Sequence, residues 1–377
     1  MTMDIPKSLE GAFDRTEHPF HMWDGIQSIP DGLEEILSSE VRPSIEKAAN
    51  ALIGRSPIHM VGCGSSYFTA LAASYVFHEV TGVQTTSADA YEYYAYPPPA
   101  LEKAALIGIS HTGGTPSVVL SVRLAQKAGS VTVGYTDVEK SALGREADHV
   151  IASQMGVEPA LPKTRSFEAA LMRHYMLGLE MARINGKDVS ALFRFLQKAP
   201  ALAKEIISKH EDEVKQLAGL YATVRRMIVV GGGPQWATAF EASLKLTESA
   251  LMDSSAWELE EAVHGTWAST RADDLFIILA MNGKGIEKSE RLAKAMKLVG
   301  ASVWVLTDTD KEFGGADHVT RLSTQGFPEL FMPMLAILPL YEFSYFVALT
   351  KGIRPDNMQL ADPRYLEARM MIRESIP

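Results

Sequence analysis

The sequence has little cysteine and no concentration of positive charge. Cys63 is the one cysteine among 377 residues, which excludes an internal disulfide framework and the usual cysteine-rich zinc sites. The formal net charge of −10, without a block of lysine and arginine, argues against a nucleic-acid or anionic-membrane surface. No basic region followed by an apolar run opens the sequence, so no secretory signal is predicted. We expect a protein of the reducing cytoplasm.

Long hydrophobic runs are also scarce. The stretch from Leu330 to Gly352 approaches the length of a bilayer span, but Pro333, Pro339 and Glu342 weaken that interpretation. A buried helix at a domain or subunit contact explains it better, because central helices of large α/β proteins are apolar all round. We therefore predict no membrane partner, and the 46% hydrophobic content is enough for two packed cores.

The chain contains an internal repeat. "HMVGCGSS" resembles "RMIVVGGGPQ", and "ALIGISHTGG" resembles "LFIILAMNGKG"; in each case a strand, a glycine-bearing loop, a helix and a strand ending in Thr-Asp follow in order. The copies lie about 170 residues apart, which is the size of a domain. Short β-branched runs alternate with helical patterns in both, as in parallel sheets covered by helices. The sequence thus predicts a duplicated α/β unit.

The repeat predicts five segments. These are an N-terminal helical segment (1–45), a first α/β unit (46–186), a helical linker interrupted at Pro200 (187–222), a second α/β unit (223–350) and a C-terminal tail (351–377).

The loop "GISHTGGTPS" combines hydroxyl groups with glycine directly after an apolar strand ending at Ile109. Ser110, Thr112 and Thr115 supply hydroxyl donors, the glycines let the backbone approach a ligand, and a helix from Pro116 points its N-terminus at the loop. The pattern predicts a phosphate-binding loop. An ordinary N-cap loop is the alternative, since serine and threonine are common at helix starts.

A second glycine pair, Gly62 and Gly64 in "GCGSS", allows a degenerate dinucleotide fingerprint. The third glycine of that motif is missing, which makes it a weak signal.

Three motifs together resemble a known family. "GCGSSY", "ISHTGGT" and "FEASLKLTESALMDSSAWELEEAVHG" are similar in order and spacing to the double sugar-isomerase (SIS) domain proteins, from about Met22 onward. That family includes the isomerase half of glucosamine-6-phosphate synthase, sugar-phosphate deaminases and fructosamine-6-phosphate deglycases. The resemblance implies an α/β fold of two tandem SIS domains, each a flavodoxin-like parallel sheet flanked by helices.

The resemblance also implies roles for individual residues. It assigns the sugar contact to Ser66 and the phosphate to Ser110, His111, Thr112 and Thr115. A histidine at 111 is more similar to the deglycase branch than to the synthase branch, which has glutamine there. It further assigns catalysis to Lys245, to Glu248 as the proton shuttle between C1 and C2, and to Glu261 and His264 of a Glu-x-x-His motif. The motif's histidine opens the sugar ring, often from the neighbouring subunit.

The residue types suit that chemistry. Moving a hydrogen between adjacent carbons needs a carboxylate that accepts and returns a proton, and Glu248 ends a mostly apolar helix with Lys245 one turn earlier. Ring opening near neutral pH suits the imidazole of His264. The alternatives are a surface carboxylate paired with Lys245 and a structural histidine. His18 and His21 have no clustered ligands, so no metal site is predicted.

The chain departs from the synthase branch at several positions. Lys163 in "LPKTRSF" stands where a small serine contacts the substrate, so we expect an altered sugar pocket that binds extra negative charge. Ala368 stands at the position of the synthase's Schiff-base lysine, with Arg369 next, so covalent capture there is not expected. No glutaminase domain with its cysteine nucleophile precedes the repeat, and we therefore do not expect glutamine-dependent transfer.

These observations predict a cytoplasmic, cofactor-independent enzyme. It would isomerise an amino-sugar or fructosamine 6-phosphate and release ammonia or an amine, as a homodimer with shared active sites and without nucleic-acid partners. A simple aldose-ketose isomerase and a non-catalytic sugar-phosphate sensor remain the alternatives.

Overall fold

The computed structural model describes residues 7–372, so positions 1–6 and 373–377 of the expected terminal segments lie outside the described residues. The strands are β1 (Ile58–Gly62), β2 (Thr85–Asp89), β3 (Ala105–Ile109), β4 (Val131–Thr136), β5 (His149–Ala152), β6 (Arg226–Gly231), β7 (Ser254–Glu258), β8 (Asp274–Leu279), β9 (Ser302–Thr307) and β10 (His318–Arg321). The α-helices are α1 (His21–Gln27), α2 (Ile29–Leu37), α3 (Arg42–Leu52), α4 (Ser65–Val76), α5 (Ala90–Ala95), α6 (Pro116–Lys127), α7 (Ala142–Glu146), α8 (Arg165–Ile184), α9 (Ser190–Tyr221), α10 (Gln235–Ala250), α11 (Ile286–Leu298), α12 (Pro333–Ala336), α13 (Leu338–Thr350) and α14 (Pro363–Ile372). Short 3₁₀ turns lie at Lys7–Ala12, Leu101–Lys103, Glu261–Val263, Thr266–Ser269 and Glu329–Phe331, and a π-helical turn at Phe77–Thr81 extends α4.

Two five-stranded parallel sheets form the core of the protein. Their strand orders are β2-β1-β3-β4-β5 and β7-β6-β8-β9-β10, which are the same order in the two halves. This is the doubly wound arrangement in which ligands bind at the carboxyl ends of the strands. The predicted fold class, an α/β protein with two flavodoxin-like units, is confirmed.

The central strands β1, β3 and β8 are buried along their whole length because helices cover both faces. All five residues of β1 and of β3, and all six of β8, are buried. Parallel strands can be joined only by crossovers, and the helices supply these. The alternation of short apolar runs with helical patterns in the sequence reflects this architecture directly.

Helix α9 runs unbroken through Pro200, contrary to the interruption expected from the sequence. Proline removes one helical hydrogen bond, but the Pro200 ring lies on the buried face of α9. That face packs against α2 and α13, and this packing compensates for the lost bond.

The apolar stretch near the C-terminal end is core, not surface. It forms the 3₁₀ turn Glu329–Phe331 followed by α12 and α13, and α13 packs against α9 and α10 of the same chain. The segment Pro333–Thr350 has the length and composition of a membrane span, yet 89% of it is buried inside the protein. The expectation of a buried helix is confirmed, but this burial is intrachain, so α13 does not supply a subunit contact.

Candidate active site

A cleft lies at the carboxyl ends of the strands of the first sheet. It consists of an inner cavity of about 180 Å³ and an outer chamber of about 750 Å³. The two spaces share wall residues, namely Ser66, His111, Leu161 and Lys163. The two spaces therefore adjoin each other at these residues.

The predicted phosphate loop forms one wall of the outer chamber. Ser110, Thr112 and Thr115 line it, and the hydroxyl groups of Ser110 and Thr115 are 2.8 Å apart. Gly113 has a φ of +64°, and a Cβ there would lie 1.8 Å from the Ser141 hydroxyl. The tight loop therefore requires glycine at this position. Helix α6 begins directly after the loop, as the sequence predicted.

Helix α10 brings Lys245 and Glu248 to the inner cavity. The Lys245 ammonium lies 2.6 Å from Glu248 Oε2 and 3.6 Å from Glu241 Oε1. These residues share one helix face because they are three and four positions apart. Only 17% of the Glu248 side chain is exposed, so its pairing with Lys245 occurs inside the cleft and not on the protein surface.

Burial and charge act in opposite directions at this helix. Burial alone would lower the pKa of Lys245, but Glu241 and Glu248 hold it above its ordinary value. Burial raises the pKa of Glu241 to about 7, although Lys245 opposes the shift. The Tyr341 hydroxyl donates to Glu241 Oε1 over 3.1 Å and fixes that carboxyl group behind Lys245. The site thus holds a charged lysine between two carboxyl groups.

Lys163 belongs to both spaces of the cleft. Its ammonium donates to the carbonyl oxygens of Glu158 (2.7 Å) and Ala160 (2.6 Å). Burial lowers the pKa of Lys163 and Lys245 acts in the same direction, whereas Glu158 and Glu248 oppose the shift. The side chain therefore adds a positively charged donor to the cleft wall.

His111 is held by two residues that the sequence interpretation missed. Its Nδ1 lies 2.7 Å from Asp137 Oδ2, and its Nε2 accepts the Glu158 backbone N–H over 3.3 Å. Asp137 also pairs with Arg173. Burial would raise the pKa of Asp137, but the Arg173 guanidinium and the His111 hydrogen bond hold it well below its usual range.

Asp137 and Arg173, both missed by the sequence interpretation, nevertheless left signals in the sequence. Asp137 is part of the Thr-Asp pair that ends the fourth strand of each unit, and Arg173 is a charge within an otherwise apolar helical run. Arg173 lines the inner cavity, and Asp137 connects it to His111 of the predicted phosphate loop.

The structure does not bring Glu261 and His264 into this cleft. They lie at a 3₁₀ turn, where the His264 Nδ1 is 2.9 Å from the Glu260 carbonyl oxygen and 64% of its side chain is exposed. Neither residue lines the inner cavity or the outer chamber. Arg369 of α14, by contrast, does line the outer chamber. No group of three or more metal-ligating side chains occurs among residues 7–372.

Comparison with known proteins shows what the first unit is similar to. The SIS domain family model matches residues 51–179, which contain the loop and most of the cleft wall. The first unit is thus similar to a SIS domain. The second half repeats the strand order of the first, so the protein has the double SIS fold.

Relatives of this protein include larger enzymes. It is 26% identical over 327 residues to the glutamine–fructose-6-phosphate aminotransferase of Pectobacterium atrosepticum, covering 86% of this chain and 53% of that protein. The chain thus spans about half the length of that relative.

Solved structures show the same fold. The C-terminal domain of the Francisella tularensis glucosamine-fructose-6-phosphate aminotransferase matches with a TM-score of 0.83 at 21% identity, covering 91% of this chain and 99% of that one. A glucosamine-6-phosphate deaminase from Thermotoga maritima matches with a TM-score of 0.69 at 24% identity, covering 89% and 96%. At these identities the likeness concerns the fold.

Proposed function

We propose that this protein is an enzyme that isomerises an amino-sugar or fructosamine 6-phosphate and releases ammonia or an amine. The observation that carries the proposal is the adjacency of the two spaces. The chamber lined by the hydroxyl-rich loop at a helix N-terminus shares four wall residues with the cavity that Lys245 and Glu248 line. A phosphate at the loop would direct the sugar carbons toward that pair.

The chemistry assigned to the inner cavity is proton transfer. In the open-chain sugar, Glu248 would take the proton from one of the two carbons C1 and C2 and return it to the other. Lys245 would hold the carboxylate in place and stabilise the negative charge that develops on the substrate oxygen. When the sugar has nitrogen on C1 or C2, this proton transfer gives an imine. Water then adds to the imine carbon, and ammonia or the amine leaves.

The outer chamber has room for more than the phosphate. Its volume is about 750 Å³, and its walls include Tyr91, Val157 and Arg369. Lys163 adds a donor at the junction of the two spaces. We therefore propose that the outer chamber holds the phosphate end of the substrate, whereas nitrogen on C1 or C2 lies in the inner cavity near Glu248.

The position of His264 supports a shared active site. It is exposed and lies outside the cleft of its own chain, whereas ring opening requires contact with the sugar. We propose that His264 and Glu261 enter the cleft of a second copy in a homodimer. Exposed apolar side chains on the same segment, Val263 and Trp267, are available for such a contact.

A simple aldose-ketose isomerase is a second candidate, because Glu248 and Lys245 serve that reaction equally well. Binding without turnover, as in a sensor, is a third candidate. Against it, the Lys245–Glu248 pair has the geometry of an acid-base group inside a ligand-sized cleft.

The test is a panel of sugar 6-phosphates, amino-sugar 6-phosphates and fructosamine 6-phosphates, each with its unphosphorylated counterpart. Thermal stabilisation reports binding, an enzymatic assay of ammonia or free amine reports deamination, and interconversion of the sugars reports isomerisation. We expect phosphorylated compounds to stabilise the protein, and nitrogen-bearing ones to yield ammonia or amine. Sugar interconversion without nitrogen release would support the simple isomerase, and binding without any product would support the sensor.

A further inference from the structure

The wall of the inner cavity contains two buried polar groups that the proposed proton transfer does not use. They are the hydroxyl group of Tyr135 in β4 and the guanidinium of Arg173 in α8. Tyr135 is 0% exposed and Arg173 is 2% exposed, and both line the inner cavity without lining the outer chamber. Two separate elements therefore place hydrogen-bonding groups at the same cavity.

Both groups have unused hydrogen-bonding capacity. Among residues 7–372, the Tyr135 hydroxyl and the Arg173 Nε find no hydrogen-bond partner, although the Arg173 Nη2 donates to Asp137 Oδ1. A buried donor without a partner destabilises a folded protein, and most buried polar groups are paired for this reason. Two unpaired groups that line one ligand-sized cavity therefore indicate a ligand atom as their partner.

Neighbouring residues fix the direction of both groups. Asp137 accepts from Arg173 and lies 2.7 Å from His111 Nδ1, so the guanidinium is tied to the predicted phosphate loop. The ring of Tyr135 packs against that of His174 in α8, with ring centres 4.7 Å apart. Burial raises the pKa of Tyr135, although Arg173 opposes the shift, and burial lowers the pKa of His174 to about 3. Tyr135 is therefore a neutral O–H donor beside a neutral imidazole.

The charges around Arg173 favour a neutral oxygen atom as the partner. Although burial opposes them, Arg173 and His111 hold the pKa of Asp137 below its usual range, so the Asp137 carboxylate is ionised. This carboxylate balances the charge of the Arg173 guanidinium, and the pair leaves no net positive charge for a second anion. A hydroxyl oxygen can accept from both donors, because it has two lone pairs.

Tyr135 lies directly beside the predicted phosphate loop. Its carbonyl oxygen accepts the Ser110 N–H over 3.0 Å, and its side chain lines the inner cavity together with Lys245 and Glu248. When a phosphate is at the loop and C1 and C2 are at Glu248, the carbons between them pass this part of the cavity. C3 and C4 are the middle carbons of that chain, and each carries a hydroxyl group.

We propose that Tyr135 and Arg173 form a subsite that binds the hydroxyl group on C3 or C4 of an open-chain sugar 6-phosphate and so selects the configuration of the sugar. The subsite rests on the proposed function for the places of the phosphate and the reacting carbons. The hydroxyl oxygen accepts the Arg173 Nε–H and the Tyr135 O–H. An epimer in which this hydroxyl group points away leaves both buried donors unpaired, and such a site rejects the wrong ligand strongly.

Tyr135→Phe tests the subsite because it removes only the hydroxyl group. Glucitol 6-phosphate is the probe, since it is an open-chain sugar phosphate that cannot be isomerised. Its affinity, measured by calorimetric titration, should fall about three- to tenfold in the variant, because one hydrogen bond is lost. The Tm should not fall, because the hydroxyl group has no partner among residues 7–372. The affinity for inorganic phosphate, which needs only the loop, should stay unchanged.

Tyr175→Phe is the matched control. The Tyr175 hydroxyl is also buried and unpaired among residues 7–372, but Tyr175 lines neither space of the cleft. This variant should bind glucitol 6-phosphate as the wild type does. Arg173→Lys keeps a positive charge opposite Asp137 but removes the Nε donor, so it should weaken glucitol 6-phosphate in the same way as Tyr135→Phe.

Deoxy analogues identify the hydroxyl group. The wild type should bind either 3-deoxyglucitol or 4-deoxyglucitol 6-phosphate about tenfold more weakly than glucitol 6-phosphate, and this difference should shrink in Tyr135→Phe. Unchanged differences for both analogues in Tyr135→Phe, or an equal weakening of inorganic phosphate, would overturn the subsite while leaving the proposed function in place. A wild type that does not bind glucitol 6-phosphate would contradict the proposed function and the subsite together.

Discussion

At the scale of single residues, the carboxylate of Glu248 is the group on which the proposed reaction depends. Glu248→Gln should keep the fold and the affinity for a sugar phosphate, because the amide preserves the shape and accepts from Lys245. Turnover should fall by about 10²–10⁴, the usual contribution of a positioned acid-base group. Exchange of the C1 or C2 hydrogen with heavy water should fall in parallel, and NMR of the recovered sugar measures it. Glu205→Gln on the exposed face of α9 is the control; exchange at the wild-type rate in Glu248→Gln would exclude Glu248 as the base.

The hydroxyl groups of the loop should distinguish phosphorylated ligands from others. Hydrogen bonds to charged groups contribute about 1.5–3 kcal/mol each, so Ser110→Ala combined with Thr112→Ala should weaken sugar phosphates at least about tenfold. Affinity for unphosphorylated sugars should change little. Calorimetric titration of both ligand types measures the difference, with the exposed Ser208→Ala as control. Equal weakening of both types would contradict the phosphate assignment.

Neutralising one member of the Asp137–Arg173 pair should destabilise the protein, because the other charge is then buried without a partner. Both side chains are 2% exposed, so Asp137→Asn should cost about 3–5 kcal/mol in the free energy of unfolding. Adding Arg173→Met should recover part of the loss, and urea denaturation measures each variant. Full additivity of the two changes would contradict the coupling.

The pH dependence of the same pair has a definite sign. The folded protein holds the pKa of Asp137 below its ordinary 3.8, so this stabilisation is complete above about pH 4 and is lost as the pH falls. The Asp137→Asn variant should therefore lose less stability than the wild type during acidification. A parallel loss in the two proteins would contradict this prediction.

At the scale of elements, helix α13 contains a carboxyl group that its apolar surroundings do not satisfy. Among the described residues 7–372, neither oxygen of the buried Glu342 finds a hydrogen-bond partner, and burial raises its pKa to about 9. The unfolded chain ionises this group near its ordinary 4.5, so the free energy of unfolding should decrease as the pH rises from about 4.5 to 9.

Replacing this carboxyl group should stabilise the protein most at alkaline pH. Glu342→Met should raise the free energy of unfolding by about 1–3 kcal/mol at pH 8 and by less at pH 5. Urea denaturation at the two pH values measures the difference, and the exposed Glu205→Met is the control. The same gain at both pH values would show that packing, and not ionisation, is responsible.

At the scale of the whole molecule, the separation of His264 from the cleft makes subunit mixing informative. In the proposed homodimer, inactive Glu248→Gln and inactive His264→Ala subunits complement each other, because each hybrid contains one site with both groups intact. Mixing equal amounts should restore about a quarter of the wild-type sites. Activity after subunit exchange, verified by native mass spectrometry, measures this. No recovery would place both groups in one chain.

The sequence by itself determined the fold class and half of the candidate site. The alternation of short β-branched runs with helical patterns, the repeat and the glycine-bearing loops depend on local stereochemistry, which can be recognised in a single sequence. The strand end at Ile109, the helix start at Pro116 and the contact of Lys245 with Glu248 follow from it. Ser66 and Lys163 also line the cleft, and their contacts with a substrate stay predictions.

Tertiary structure alone decided the contacts between distant elements. The pairing of Asp137 with Arg173 depends on how α8 packs under the first sheet, and no spacing in the sequence encodes it. Helix α9 passes through Pro200 because packing outweighs the lost hydrogen bond, and α13 is buried within one chain although its composition also suits a subunit contact. Glu158 and Glu329 occupy similar places in the repeat. The Glu158 carboxylate accepts a backbone N–H at the start of α8, whereas the Glu329 carboxylate packs against Gly283. Such choices depend on the surrounding packing and charge, which only the folded chain brings together.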